Sequence, residues 1–158
     1  MTTLAQDTVL TPEALLRHWQ GHRGLTRRVI DAFPETELFS FSVGEMRPFA
    51  ELAKEFLRMS VPTLHGVATG NWQMEQGADP ATKDELLRRW DQDTAEIDRI
   101  WSTIPAGRFQ EVDTAFGQWE GKVYSLLFYI IDNEIHHRGQ GYVYLRALGI
   151  EPPPFYER

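Results

Sequence analysis

The chain has 158 residues and no cysteine, and its 16 lysines and arginines against 23 aspartates and glutamates give a net charge of −7. A length of this order predicts one domain, residues 1–158, whose core needs neither disulfides nor metals for stability. The negative charge disfavours nucleic acid as a partner, and the missing cysteines exclude disulfide scaffolds, thiolate nucleophiles and cysteine-ligated zinc.

Two long helical patterns fill the first half of the chain. The first begins at Thr11, a typical N-cap, with Pro12 at the first helical position, and it ends near Phe33. The second runs from about Arg47 to Val67, and Pro62 is expected to kink it. In both segments the apolar residues recur at steps of three and four, which predicts amphipathic helices with one buried face.

Two further helices are predicted in the second half of the chain. The third begins either at Asp79-Pro80 or at a capping box formed by Thr82 and Glu85, and it continues to the break at Pro105. The fourth runs from about Lys122 to Leu148 and ends at Gly149. Three consecutive prolines follow shortly afterwards and prevent any continuation of this helix.

The connections and the termini complete the predicted fold. Segment 109–121 alternates weakly between apolar and polar residues, which predicts a short extended or hairpin-like crossover. The whole pattern predicts an all-α four-helix bundle with a long crossover between helices 3 and 4.

The longest aliphatic and aromatic run, 124–131, is too short to span a bilayer, and residues 1–8 lack the features of a secretory signal. We therefore expect a soluble, cytoplasmic protein without a membrane partner.

One face of the fourth predicted helix is polar, although the helix is otherwise strongly apolar. This stripe is formed by residues at offsets of 0, 4, 7 and 11: Asn133, His137, Gln140 and Tyr144. A buried amide or imidazole must be hydrogen-bonded or bound to a ligand, because leaving it unpaired costs about 1–3 kcal/mol. The spacing leaves two interpretations open, a functional site or a satisfied core histidine beside an asparagine that points outward.

The same helix resembles a known family. The run Asn133-Glu-Ile-His-His-Arg-Gly-Gln140 is followed by Tyr144-Leu-Arg-Ala-Leu-Gly149 and then by Glu-Pro-Pro. It is similar to the C-terminal helix of the DinB/YfiT-like superfamily, which reads approximately His-x-x-x-His-Arg-Gly-Gln, then Tyr-Leu-Arg, Gly and Pro-Pro. The stretch Met46-Arg-Pro-Phe-Ala-Glu-Leu52 is also similar. The resemblance covers nearly the whole chain and implies a four-helix bundle of the DinB/YfiT type.

The resemblance also implies a metal site with altered ligands. Family members typically hold a divalent metal with three histidines, one on the second helix and two on the fourth. His137 matches one of them, whereas Glu55 and Asn133 occupy the positions of the other two. Such a set is harder and weaker than three imidazoles, which leaves zinc, nickel, manganese, magnesium or no metal open. Two alternatives are a direct hydrogen bond between Glu55 and His137, and an exposed helical charge face that includes Glu55.

Two functions are consistent with this resemblance. Related proteins include thiol-dependent S-transferases and maleylpyruvate isomerase, which implies a metal-dependent transferase, isomerase or hydrolase that uses a small molecule or a low-molecular-weight thiol. Glu55 and His137 would then be catalytic, and Gln140 and Tyr144 would bind the substrate or cofactor. The alternative is a non-catalytic, ligand-binding or stress-associated bundle that has lost the metal. The resemblance implies a homodimer in either case.

Three further features have a recognisable pattern. His18 and His22 are spaced i, i+4, within reach of one ion, although a pair of partly exposed histidines is the competing interpretation. Arg138 is expected to act as an intramolecular or dimer-interface clamp through its planar guanidinium. Gly139 and Gly141 are costly inside a helix, which predicts that another backbone approaches closely there.

Overall fold

Five α-helices and one hairpin make up residues 8–158, the part of the chain that the computed structural model describes. Residues 1–7, which are all but the last residue of the segment that lacks the features of a secretory signal, lie outside this part. None of the described helices combines the length and apolarity of a membrane span. The elements in chain order are α1 Pro12–Ala32, α2 Glu35–Ser40, α3 Phe49–Thr69, α4 Lys83–Trp101, a 3₁₀ segment Ala106–Gln110, β1 Val112–Ala115, β2 Trp119–Lys122 and α5 Val123–Ala147.

The helix ends are determined by local capping. The hydroxyl of Thr11 accepts a 3.1 Å hydrogen bond from the backbone N–H of Ala14, as the N-cap prediction requires. Thr82 and Glu85 form the predicted capping box, in which each side chain accepts a bond from the other residue's backbone N–H. Gly70 ends α3 in the left-handed conformation, with φ of 73°, which glycine adopts without steric cost.

The sequence analysis missed the short helix α2, as it missed the 3₁₀ segment of the crossover. Helix α2 follows the first predicted helix directly, with Pro34 at its N-cap and Glu35 and Glu37 in its first turn. Six residues are too few to produce a recognisable apolar period, and only Leu38 is buried. The second predicted helix, α3, continues through Pro62 and ends slightly later than expected, at Thr69.

The four long helices form a bundle in which α1 and α3 lie at opposite corners. Each of these two helices packs against both α4 and α5, which lie across from each other. The connection from α4 to α5 must therefore cross the end of the bundle, and residues 102–122 do so through the 3₁₀ segment and the antiparallel hairpin. The predicted all-α bundle, its long crossover and the hairpin-like segment are confirmed.

The core consists of two hydrophobic clusters with a polar layer between them. The first cluster includes Val29, Phe33, Phe49, Phe56, Trp90 and Tyr144. The second includes Trp19, Leu64, Ile97, Trp101, Leu127 and Ile131. Along each long helix, buried polar residues fall between these two sets: His22, Arg23, Thr26, Ser60, Thr63, Asp93, Glu134 and Arg138. Buried polar groups need partners, so this layer constrains how the helices meet.

Gly141 allows close approach of a side chain, not of another backbone as the sequence suggested. A Cβ atom at this position would lie 2.6 Å from Cε2 of Phe49, whose ring stacks on Phe33 with centroids 5.1 Å apart. A Cβ at Gly139, two residues earlier on the same helix, would meet no atom of the described residues within 4 Å other than its own stretch of helix. The close-approach interpretation is therefore wrong for Gly139.

The two glycines predict opposite effects of the same substitution. Gly141→Ala should lower the free energy of unfolding by about 1–3 kcal/mol, because Phe49 is buried and has no room to move. Gly139→Ala should raise it by about 0.5–1 kcal/mol, because alanine favours the helix and meets no neighbour. Urea unfolding of both variants measures the difference, and equal effects would contradict this packing.

Candidate functional site

A carboxylate, an amide and an imidazole come together between α3 and α5. Glu55 Oε1 accepts a 3.1 Å hydrogen bond from Asn133 Nδ2, and His137 Nε2 lies 3.5 Å from the same oxygen. Glu55 Oε2 accepts a 2.5 Å bond from Arg47 Nη1. Gln140 interacts with the His137 imidazole. These five residues are the Glu55 cluster.

Helix geometry and one buried tyrosine place these groups. Asn133 and His137 are one turn apart on α5, so both face α3, and the interpretation with an outward asparagine is wrong. Arg47 lies just before α3, where the hydroxyl of Tyr144 donates a 2.9 Å bond to its carbonyl. Tyr144 is fully buried and thereby holds the backbone from which the guanidinium reaches Glu55.

The Glu55 carboxyl group is stabilised in its ionised form. Burial by itself would raise its pKa, but the hydrogen bonds from Arg47 and Asn133 and the charge of Arg47 outweigh burial and lower the pKa below 4.5. The Glu55 side chain is 25% exposed and that of Arg47 is 49% exposed. The negative charge of Glu55 is therefore balanced by a cation that the chain itself supplies.

The surroundings of His137 favour its neutral imidazole form. Burial lowers its pKa, and the attraction of Glu55 only partly offsets this effect. The ring stacks on Phe56, with the two centroids 6.2 Å apart. Its Nδ1 atom is buried and has no hydrogen-bond partner among residues 8–158.

The predicted metal ligands Glu55, Asn133 and His137 converge, but their surroundings do not suit a divalent ion. The described residues contain no group of three or more histidine, aspartate or glutamate side chains that could hold a metal. The guanidinium of Arg47 repels a cation at Glu55: unit charges about 4 Å apart interact by about 4 kcal/mol at an effective dielectric constant of 20. A metal-bound histidine also ordinarily donates its second ring nitrogen to an acceptor, which Nδ1 of His137 lacks in the part of the chain described.

Two alternatives raised by the sequence are also wrong in detail. Glu55 Oε1 and His137 Nε2 are 3.5 Å apart, and the hydrogen bonds to this carboxylate come from Arg47 and Asn133 instead. Glu55 does not belong to an outer charge face either. Glu51 and Lys54 pair at 2.8 Å on the same helix, whereas Glu55 turns toward α5.

A second polar group, the Arg138 network, is buried between α1 and α5. Arg138 Nη1 donates to the carbonyl of His22 and to the hydroxyl of Thr26, over 3.1 Å each. The Thr26 hydroxyl in turn donates to Glu134, whose Oε1 lies 4.0 Å from Arg138 Nη1. Arg138 is therefore an intramolecular clamp, one of the two roles that its guanidinium suggested.

His22 belongs to this network and not to a metal site shared with His18. It is only 3% exposed, so the expectation of a partly exposed residue is wrong. Its Nδ1 lies 2.9 Å from Arg138 Nη2, and its Nε2 lies 3.1 Å from Arg158 Nη1. Each ring nitrogen thus lies within hydrogen-bond distance of an arginine, and the neutral imidazole accepts from one of the two. The centroid of the His18 ring is 4.5 Å away.

Arg23 is a buried charge that the sequence analysis did not single out. Its guanidinium lies 4.2 Å above the ring of Trp90, and it donates to the Trp90 carbonyl and the Thr94 hydroxyl. The available signal was its position: Arg23 follows Trp19 by four residues, on the apolar face of α1. A cation on an apolar face needs such partners.

Comparison with known proteins identifies the family. The sequence matches the profile of the DinB family over residues 1–158. The chain belongs to the DinB family. A solved DinB-like protein from Bacillus cereus superposes with a TM-score of 0.74 at 18% identity, covering 91% of this chain and 97% of the other. YjoA, a DinB-like protein from Bacillus subtilis, gives 0.72 at 20% identity, with 91% and 99% covered. No curated protein matches the sequence.

In this DinB-family bundle the segment 133–140 supplies both polar groups. Asn133 and His137 face α3, whereas Glu134 and Arg138, each one position later, face α1. The resemblance identified the first pair. The second pair was detectable as an acidic and a basic residue spaced i, i+4 within an apolar helix.

His22 predicts that part of the stability depends on pH. Burial, followed by the charges of Arg138, His18 and Arg158, lowers its pKa from 6.5 to about 4. Between these two values the unfolded chain binds a proton at His22 that the folded chain does not. The free energy of unfolding should therefore decrease as the pH falls from 6.5 to 4.

The free energy of unfolding of His22→Gln should change less with pH between 6.5 and 4 than that of the wild type, because the glutamine side chain does not titrate. Denaturant unfolding at several pH values measures the difference between the two proteins. His65→Gln, at an exposed position of α3, is the control and should follow the wild type. Identical slopes for His22→Gln and the wild type would contradict the assignment.

Proposed function

We propose that this DinB-family chain works without a resident metal ion and binds a small polar molecule at the Glu55 cluster. The contact between the Arg47 guanidinium and Glu55 is the observation that supports this most directly. A divalent ion at Glu55 would have to displace the guanidinium of Arg47, a residue whose backbone is held by Tyr144. The Glu55 carboxylate would also lose the hydrogen bond from Asn133. Nothing in this function requires catalysis.

The remaining donors of the cluster indicate the chemistry of the ligand. A guanidinium has five N–H donors, and one of those of Arg47 bonds to Glu55 while the side chain stays 49% exposed. Arginine binds carboxylates well, and low-molecular-weight thiols such as glutathione carry carboxylates. We expect Arg47 and Gln140 to contact such a ligand, with Tyr144 acting through Arg47.

A metal-dependent transferase, isomerase or hydrolase is the second candidate. It is favoured by the convergence of Glu55, Asn133 and His137 on facing helices, because these are the three positions that the resemblance assigns to metal ligands. A zinc, nickel, manganese or magnesium ion would compete with Arg47 for Glu55. With either function we expect the homodimer that the resemblance implies.

Replacing Arg47 with methionine distinguishes the two candidates. Methionine keeps an unbranched side chain but removes the charge, so the repulsion of a divalent ion disappears. We expect Arg47→Met to bind zinc or manganese at least about tenfold more tightly than the wild type in calorimetric titrations. Arg99→Met is the matched control, because Arg99 also pairs with a glutamate, Glu96, on a different helix.

Elemental analysis of untagged wild-type protein, purified without chelator, completes this test. The proposed function predicts far less than stoichiometric metal. A stoichiometric ion that is lost in a folded Glu55→Ala variant, and kept in His65→Ala, would establish the second candidate instead. An unchanged metal affinity in Arg47→Met would show that the guanidinium does not exclude the ion.

Reduced glutathione is the probe for the ligand. Calorimetric titration should detect binding to the wild type that weakens at least about tenfold in Arg47→Met, because a charge-assisted hydrogen bond contributes about 1.5–3 kcal/mol. Gln140→Ala should weaken binding less, since it removes a neutral donor. Equal binding to the wild type, Arg47→Met and the control Arg99→Met would contradict a ligand site at Arg47.

A further inference from the structure

A cavity of about 290 Å³ opens at the end of the bundle where α1 begins and α4 ends. Its walls include Leu16 of α1, Trp101 of α4, and Ile104 and Phe109 of the crossover. The rings of Trp101 and Phe109 have centroids 5.3 Å apart, and both residues are 6% exposed. An engineered apolar cavity of roughly 150 Å³ binds benzene, so this cavity has room for one aromatic ring with a short substituent.

The rim of the cavity is acidic. Glu13 lies in the first turn of α1 and Asp98 in the last turn of α4, and both are exposed residues of the lining. Asp98 is oriented by a 2.9 Å hydrogen bond that Gln20 donates to its Oδ1. Arg17 and Arg99 are adjacent in the chain to lining residues, yet the lining formed by the described residues contains no arginine or lysine. The carbonyl end of α4 contributes a partial negative charge and the N-terminal end of α1 a partial positive charge of similar size, so the acidic character of the rim comes from the two side chains.

Carboxylates beside aromatic faces select a particular class of ligand. A cation is attracted both by the carboxylates and by the electron-rich face of an indole ring. A small inorganic cation would leave the apolar walls uncovered, and an anion would be repelled by Glu13 and Asp98. A neutral aromatic molecule would fill the cavity but gain nothing from the two charges.

We propose that this cavity binds an organic ammonium ion with an aromatic body, with the ammonium between Glu13 and Asp98 and the ring against Trp101 and Phe109. The cavity is built from α1, α4 and the crossover, whereas the Glu55 cluster lies on α3 and α5. The proposal is therefore independent of the function proposed for that cluster.

Three probes with the same ring test the charge preference: phenethylammonium, 2-phenylethanol and phenylacetate. In calorimetric titrations of the full chain at neutral pH, we expect phenethylammonium to bind at least about tenfold more tightly than the alcohol, because the two carboxylates attract only the charged probe. Phenylacetate should not bind detectably. Undetectable phenethylammonium binding, or equal affinity for the ammonium ion and the alcohol, would overturn the proposal.

Matched variants locate the site. Glu13→Gln combined with Asp98→Asn keeps the size of both side chains and should abolish the preference for the ammonium ion. Glu45→Gln combined with Asp132→Asn removes the same charge from exposed positions elsewhere and should leave the preference unchanged. Ala106→Phe should fill the cavity and abolish binding at an unchanged thermal unfolding temperature. Equal effects of the two double variants, or undiminished binding to Ala106→Phe, would overturn the proposal.

Discussion

The buried guanidinium of Arg138 constrains the rotation of α5, and the positions of the other polar groups depend on it. Burial lowers the pKa of Arg138 and raises that of Glu134, because removal from water disfavours the charged form of each side chain. Charged groups in this position need compensating partners. The His22 carbonyl and the Thr26 hydroxyl, both on α1, supply the acceptors. Removing one partner from a buried charge typically costs about 3–5 kcal/mol, so other rotations of α5 are strongly disfavoured.

This rotation also determines what α5 presents to α3. Asn133 and His137 each precede a member of the buried pair by one position, about 100° around the helix, and therefore meet Glu55. These three side chains converge as metal ligands would, but the carboxylate charge is balanced by Arg47, which pairs with it. A guanidinium satisfies one anion through hydrogen bonds, whereas a divalent ion would require several donors with free lone pairs.

Local residues and the family resemblance predicted different parts of this arrangement. The caps at Thr11 and Thr82 and the hairpin-like crossover follow from short-range chemistry, which a single sequence displays directly. The inward orientation of Glu55 came only from the resemblance, because its spacing fits an exposed charge face equally well. The pairing of Arg47 was missed, because no periodicity links a residue just before α3 to Glu55, eight positions later. The role of His22 was missed because its partner, Arg138, lies on a distant helix.

The sequence by itself determined where the long helices begin and end and that they form an all-α bundle, because capping, prolines and apolar periods act over a few residues. Tertiary structure decided which polar residues are buried and which charges meet. Those outcomes depend on the relative rotation of helices far apart in the chain, as with Arg138 and His22 or Asn133 and Glu55. The positions that the resemblance assigns to metal ligands were predictable, whereas the cation that pairs with Glu55 became visible only when α3, its preceding loop and α5 were packed together.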